Sequence, residues 1–145
     1  IEYKDKKANQ ISYWLENEMV ENHIPLDLIV DWSDVSAPIE ARARAYLDIN
    51  CGHCHMPSGS ADTTGLYLQL TETDNMKLGI YKKPVAAGRA SGDLKYSIVP
   101  GKPDESIMLN RMKSLDPGEM MPESGRTTTH VEGVSIVNDW IISLK

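Results

Sequence analysis

Cys51-Gly52-His53-Cys54-His55 decides how this chain is read. Its two cysteines are the only two in 145 residues, and a histidine follows the second directly. Two thiols three residues apart on one turn can each add to a vinyl group of a porphyrin, forming thioethers that fix it to the backbone. The next residue is then held over the ring face, where a neutral imidazole nitrogen can bind iron. C-x-x-C-H is the attachment pattern for one covalent haem c.

Two other chemistries share these letters. Cys51-Gly52-His53-Cys54 is also a dithiol redox motif, which requires a strand leading in and a helix leading out. Here residues 38–50 are rich in Ala, Arg and Glu and read as helix, while Pro57-Ser58-Gly59-Ser60 denies a helix beyond. Structural zinc needs a second spaced ligand pair. The remaining histidines, His23 and His130, are isolated and receive no role. His53, between the cysteines, is expected to face solvent.

The composition fits a chain built around a prosthetic group. Leu, Ile and Val, with no Phe, make up only about a fifth of the residues, near the level where disorder becomes the default. A large apolar cofactor would supply the missing core, and cofactor-free protein should be loosely packed. The net charge of −6 argues against nucleic acid and anionic lipid and suits a partner with a basic patch. No stretch approaches a membrane span. The first residues lack the apolar run of a signal peptide. Covalent haem attachment takes place outside the cytoplasm, so the chain is expected to be a periplasmic or extracellular mature form, a monomer or a module of a longer protein.

Along the chain, residues 5–24 read as a helix with Ile11, Trp14, Leu15 and Met19 on one stripe. Residues 24–38 read as irregular, and Pro38 opens a helix to about Asn50. Residues 57–64 and 72–103 are loop; Leu66, Leu68 and Leu70 alternate without deciding between strand and helical turn. A short helix is expected from Asp104, its N-cap, to Lys113. Thr129 and Glu132 form a capping box for a last helix, with Val134, Val137, Ile141 and Leu144 as its apolar stripe. The expectation is an all-α protein: an N-terminal helical extension over 1–37 and a haem domain over 38–145.

A thioether on the open side of the iron would make the protein an electron carrier rather than a peroxide-reactive or ligand-binding enzyme. Seven methionines compete, and any of them can be core filler. Met19 has a core address, Met56 is too near His55, and Met108 and Met112 lie on a helix. Met120-Met121-Pro122 sits in a Gly- and Pro-containing loop, and Met121 is held extended by the proline after it. Met121 is the expected second ligand, with Met120 next. Arg126, Arg111 and Arg89 are candidates for the haem propionates, Arg126 foremost. Pro100 or Pro57 is expected to offer a carbonyl to the other nitrogen of His55. Leu66, Leu68 and Ile98 are expected to line the pocket.

With those residues in place, the chain resembles a class I c-type cytochrome over residues 38–145. A helix enters Cys-Gly-His-Cys-His, and a Met-Pro loop and a C-terminal helix follow. The resemblance implies the cytochrome c fold, His55 and Met121 as axial ligands, and one-electron transfer without substrate turnover. It also implies a close crossing of first and last helices, with Ala41 or Ala45 against Trp140. Ile98-Val99-Pro100-Gly101-Lys102-Pro103-Asp104-Glu105-Ser106-Ile107 is similar to a segment of cytochrome domains in larger bacterial secreted proteins, some joined to carbohydrate-active modules. That similarity suggests a secreted redox partner such as a copper-dependent polysaccharide oxidase. Residues 1–37 and the long loop from Glu72 to Tyr96 have no counterpart in small cytochromes c.

Overall fold

Two helices cross at the centre of the computed structural model: α2 (Ile39–Leu47) and α4 (Val131–Ser143). The crossing is tight because residue 133 is glycine. A Cβ there would overlap the ring of Tyr46, so the absent side chain lets the aromatic of α2 seat on the backbone of α4. The resemblance placed the small residue on the first helix and the aromatic on the last; here the roles are exchanged. The alanine that shares a core cluster with Trp140 is Ala43, rather than Ala41 or Ala45.

Around this crossing Leu47, Leu68, Ile98, Leu109, Val137, Trp140 and Ile141 are almost fully buried. Leu68, Ile98 and Leu109 arrive from outside the crossing pair, Leu109 on α3 (Ile107–Lys113). The structure describes residues 9–21, 29–85 and 87–145, and the backbone of 2–3 and 6–7. His23 lies outside the described residues. Among the described residues no helix is long and apolar enough to cross a membrane.

The all-α expectation, with a cytochrome c fold and a helical extension, is corrected by the N-terminus and by the amount of irregular backbone. Glu2–Tyr3 (β1) and Lys6–Lys7 (β2) pair antiparallel, with Glu2 opposite Lys7 and Tyr3 opposite Lys6. The first helix, α1, covers only Gln10–Glu16 of the expected 5–24. Its start is set by Asn9, whose Oδ1 accepts from the N–H groups of Ile11 and Ser12. The left-handed φ of +55° at Glu18 lies just past its end. No residue of α1 is buried, and Met19 is 64% exposed, so its stripe is not a core address.

Between α2 and α3 the chain is mostly turns, short 3₁₀ segments and two isolated parallel bridges, Ile80 to Ile98 and Tyr96 to Ser106. Two helix starts also differ from expectation. Ser106, not Asp104, precedes α3; Asp104 belongs to a 3₁₀ turn over Pro103–Glu105. His130 precedes α4, and Thr129 spends its hydroxyl on the Lys113 carbonyl (3.3 Å) instead of capping.

Candidate functional site

α2 runs without a break into a π-helical turn, Asp48–Gly52, that carries Cys51. The Cys51 carbonyl accepts from both the Cys54 N–H (3.1 Å) and the His55 N–H (2.9 Å). This turn brings residues 51 and 54 to neighbouring positions on one side, as i and i+3 on a helix. Both thiols are free and half-buried. Cys51 packs against the core, and burial, with Cys54 beside it, pushes its thiol up to about 11.

The turn is clamped by the loop that follows. Ala61 N–H donates to the Cys54 carbonyl (3.1 Å), and Leu68 N–H to the His55 carbonyl (2.8 Å). Gly59 lies so close to the Cys54 carbonyl that a Cβ would overlap it. Asp48 accepts from Leu70 N–H (2.9 Å). Arg44, itself buried, donates from one nitrogen to the carbonyls of Gln69, Leu70 and Glu72. Residues 66–70 are thus neither strand nor helix but a backbone strap held by donors and acceptors from α2 and the motif.

His55 is half-buried, and burial pushes its imidazole below the ordinary range; the Leu66 backbone acts in the opposite sense. A neutral imidazole keeps a nitrogen lone pair for a metal. Nδ1 is buried without a hydrogen-bonded partner. The backbone beside the ring is therefore that of Leu66, where Pro57 or Pro100 was expected. Arg111 and Glu123 also act on the charge of this ring. Arg111 belongs to α3 and Glu123 to the loop holding Met120 and Met121.

That loop is tied to α3 at several points. Met121 N–H donates to the Arg111 carbonyl (3.0 Å), and Arg111 Nε donates to the Glu119 carbonyl (2.8 Å). Met120 is buried and Met121 half-buried. Met108 is buried on α3, Met112 packs against the core, and Met76 is exposed.

Arg126 is engaged differently from the expected propionate contact. Its guanidinium donates to the carbonyls of Arg111, Met112 and Ser114, closing the C-terminal end of α3. Arg89 pairs at the surface with Asp116 (3.0 Å). Of the three arginines, Arg111 is the one whose charge acts on the His55 ring. Leu68 and Ile98 are buried and Leu66 half-buried, and Leu66 and Ile98 approach each other over Gly79. His53 is exposed, as expected.

Sequence reasoning missed one cluster. Tyr46 Oη and His130 Nδ1 are hydrogen-bonded at 2.9 Å with stacked rings, and Trp32 meets both edge-on at 5.7 and 5.4 Å. Arg42 Nε donates to the Trp32 carbonyl (2.9 Å), so residues near 32 are fastened to α2. The three rings are 14 and 84 residues apart, and no local pattern links them. Comparison with protein-family models, with curated proteins and with solved structures finds no match to this chain.

Proposed function

We propose that this chain is a one-electron carrier with a single haem c. Cys51 and Cys54 would hold the haem through thioethers, and His55 and Met121 would be its axial ligands. The observation that carries the reading is the turn on which Cys51 and Cys54 stand as free, half-buried thiols with His55 next in line, its N–H and that of Cys54 both held by the Cys51 carbonyl. Supporting it are the burial that keeps the His55 imidazole below its ordinary range and its buried, unpartnered Nδ1. The resemblance to class I c-type cytochromes, through Cys-Gly-His-Cys-His and Met121-Pro122, points the same way.

Each residue has a defined task. The sulfurs of Cys51 and Cys54 would hold the haem as thioethers. His55, kept neutral by burial, offers Nε2. Leu66, Leu68 and Ile98 provide a wall of low polarity, and Arg111 offers a half-buried cation to carboxylates nearby. When bound, the haem supplies a ferric/ferrous couple that accepts and returns one electron. The partner would be another redox protein, outside the cytoplasm because attachment occurs there; a copper-dependent polysaccharide oxidase is the narrower suggestion of the family resemblance.

The dithiol alternative is disfavoured on physical grounds. A redox-active first cysteine needs a lowered pKa, whereas Cys51 is pushed up, and a helix instead of a strand leads into the motif. Zinc is disfavoured because, among the described residues, no group of three His, Cys, Asp or Glu is placed to hold a metal ion.

The test is an absorption spectrum of exported protein, oxidised and reduced, with a pyridine haemochrome assay and intact mass. Covalent haem with the weak far-red band of ferric methionine ligation is the expected result. Covalent haem without that band would point to a ligand-binding or peroxide-reactive enzyme. No haem, despite the export and maturation machinery, would overturn the proposal.

A further inference from the structure

The charge of the chain is unevenly placed. It is −6 overall, yet residues 76–102 hold six basic side chains and one acidic one, Asp93. Three of the six are paired: Lys77 with Glu72, Arg89 with Asp116 and Lys102 with Glu105. Lys82, Lys83 and Lys95 have no ion pair among the described residues.

Two backbone hydrogen bonds join the stretches that carry those lysines. Tyr81 N–H donates to the Ile98 carbonyl (2.9 Å) and Ser97 N–H to the Lys82 carbonyl (2.8 Å). Residues 81–82 therefore run beside residues 96–98, with Lys83 and Lys95 flanking the pair in sequence. The rings of Tyr81 and Tyr96 meet edge-on at 5.7 Å, which closes the pair at its surface.

Tyr81 stands out in this group. Its φ of +51° is a left-handed conformation that costs a bulky residue energy. Burial does not offset that cost, because Tyr81 remains 54% exposed. Beside it lies an open groove of about 480 Å³ lined by Met76, Ile80, Pro100 and Leu144. Met76 is likewise exposed. An apolar centre flanked by unpaired lysines, with Asp93 the one acidic side chain in the stretch, is the anatomy of a protein interface. A polyanion would be served by the lysines alone.

We infer that the face built on residues 76–83, 95–102 and Leu144 docks an acidic partner protein, with Tyr81 at its apolar centre and Lys82, Lys83 and Lys95 as its charged rim. This rests on the electron-carrier reading, because the face is coupled to the cysteine motif through one strap. Leu68 binds the His55 carbonyl, and Tyr67 N–H binds the Lys77 carbonyl at 2.8 Å. It also redirects the expectation of a basic partner, which treated the acidic charge as evenly spread.

The experiment is an NMR titration of the haem-loaded, isotope-labelled ferrous protein with plastocyanin, an acidic copper electron carrier, and separately with heparin. Haem content is read on the same sample. Amide shifts should fall on residues 76–102 and 144–145, and binding should weaken as salt rises. The triple variant Lys82→Glu, Lys83→Glu, Lys95→Glu should bind about tenfold or more weakly. Tyr81→Ser, which changes no charge, should also weaken binding about tenfold. Both variants should keep the absorption spectrum, which certifies the fold. Shifts centred elsewhere, or no saturable binding at low salt, overturn the docking face while haem content leaves the electron-carrier reading intact. A haem-free product that still docks at this face removes that reading and leaves the surface standing. Saturable heparin shifts that Tyr81→Ser leaves unchanged overturn the choice of a protein partner in favour of a polyanion.

Discussion

Tyr46 of α2 rests on Gly133 of α4 in the space a side chain at residue 133 would need. The same tyrosine hydrogen-bonds His130, so one residue fixes both the separation of the two helices and the entry into α4. Gly133→Ala should therefore destabilise the haem-loaded protein by about 1–3 kcal/mol through overpacking, measured by denaturant unfolding. Tyr46→Phe, which keeps the ring and loses the hydroxyl, should cost less, about 0.5–1.5 kcal/mol. An unchanged midpoint for Gly133→Ala would mean the helices do not cross here.

Covalent attachment is tested at the sulfurs. The Cys51→Ala, Cys54→Ala double variant should release its haem into acidic organic solvent, and its intact mass should lack the haem increment. Retention of covalent haem in that variant would sink the assignment.

The thiol of Cys51 gives a prediction in pH. With its pKa raised to about 11, only about one molecule in a thousand carries the thiolate at pH 8. In haem-free protein that circular dichroism and denaturant unfolding show to be folded, alkylation of Cys51 should be slow at pH 8 and accelerate as pH rises towards 11. Peptide mapping after iodoacetamide reads this residue by residue. Rapid labelling at pH 7 would revive the dithiol reading.

The two adjacent methionines should separate cleanly. Met121→Ala should abolish the far-red ferric band and lower the reduction potential, while leaving haem attached. Met120 is buried, so Met120→Ala should instead cost about 2–5 kcal/mol of stability and leave the band in place. The reverse pattern would move the ligand to Met120.

Arg126 should behave as a structural clamp. Arg126→Ala removes charged donors from three carbonyls, and each such bond contributes about 1.5–3 kcal/mol before relaxation. A marked loss in thermal midpoint is expected, and Arg126→Lys should restore little of it because an ammonium cannot reproduce the planar fork. A stable Arg126→Ala with a shifted potential would return this arginine to the propionates.

What was legible in the sequence was what local chemistry dictates. Pro38 marked the start of α2, and the Val, Ile and Trp spacing marked α4, because both signals act within a turn or two. The cysteine motif was readable for the same reason. What escaped depended on distance. Arg126 reaches carbonyls 12 to 15 residues away, and Trp32 meets a ring at residue 130. The stripe on α1 misled because apolar spacing promises a helix only if something covers it, and here the helix stops after seven residues with no face buried. The Thr129–Glu132 pattern failed because α4 starts one residue later, with His130 in the capping position, and the Thr129 hydroxyl is turned to the Lys113 carbonyl.

The clamp around the motif bears on transplantation. Cys54 is gripped from residues 59 and 61, His55 from residue 68, and Asp48 from residue 70. A five-letter insert copied into another scaffold would bring the reactive groups but not the geometry that presents them. The smallest portable cassette runs from Asp48 to Leu70, and a host protein would have to supply an equivalent of Arg44 to keep its far end closed.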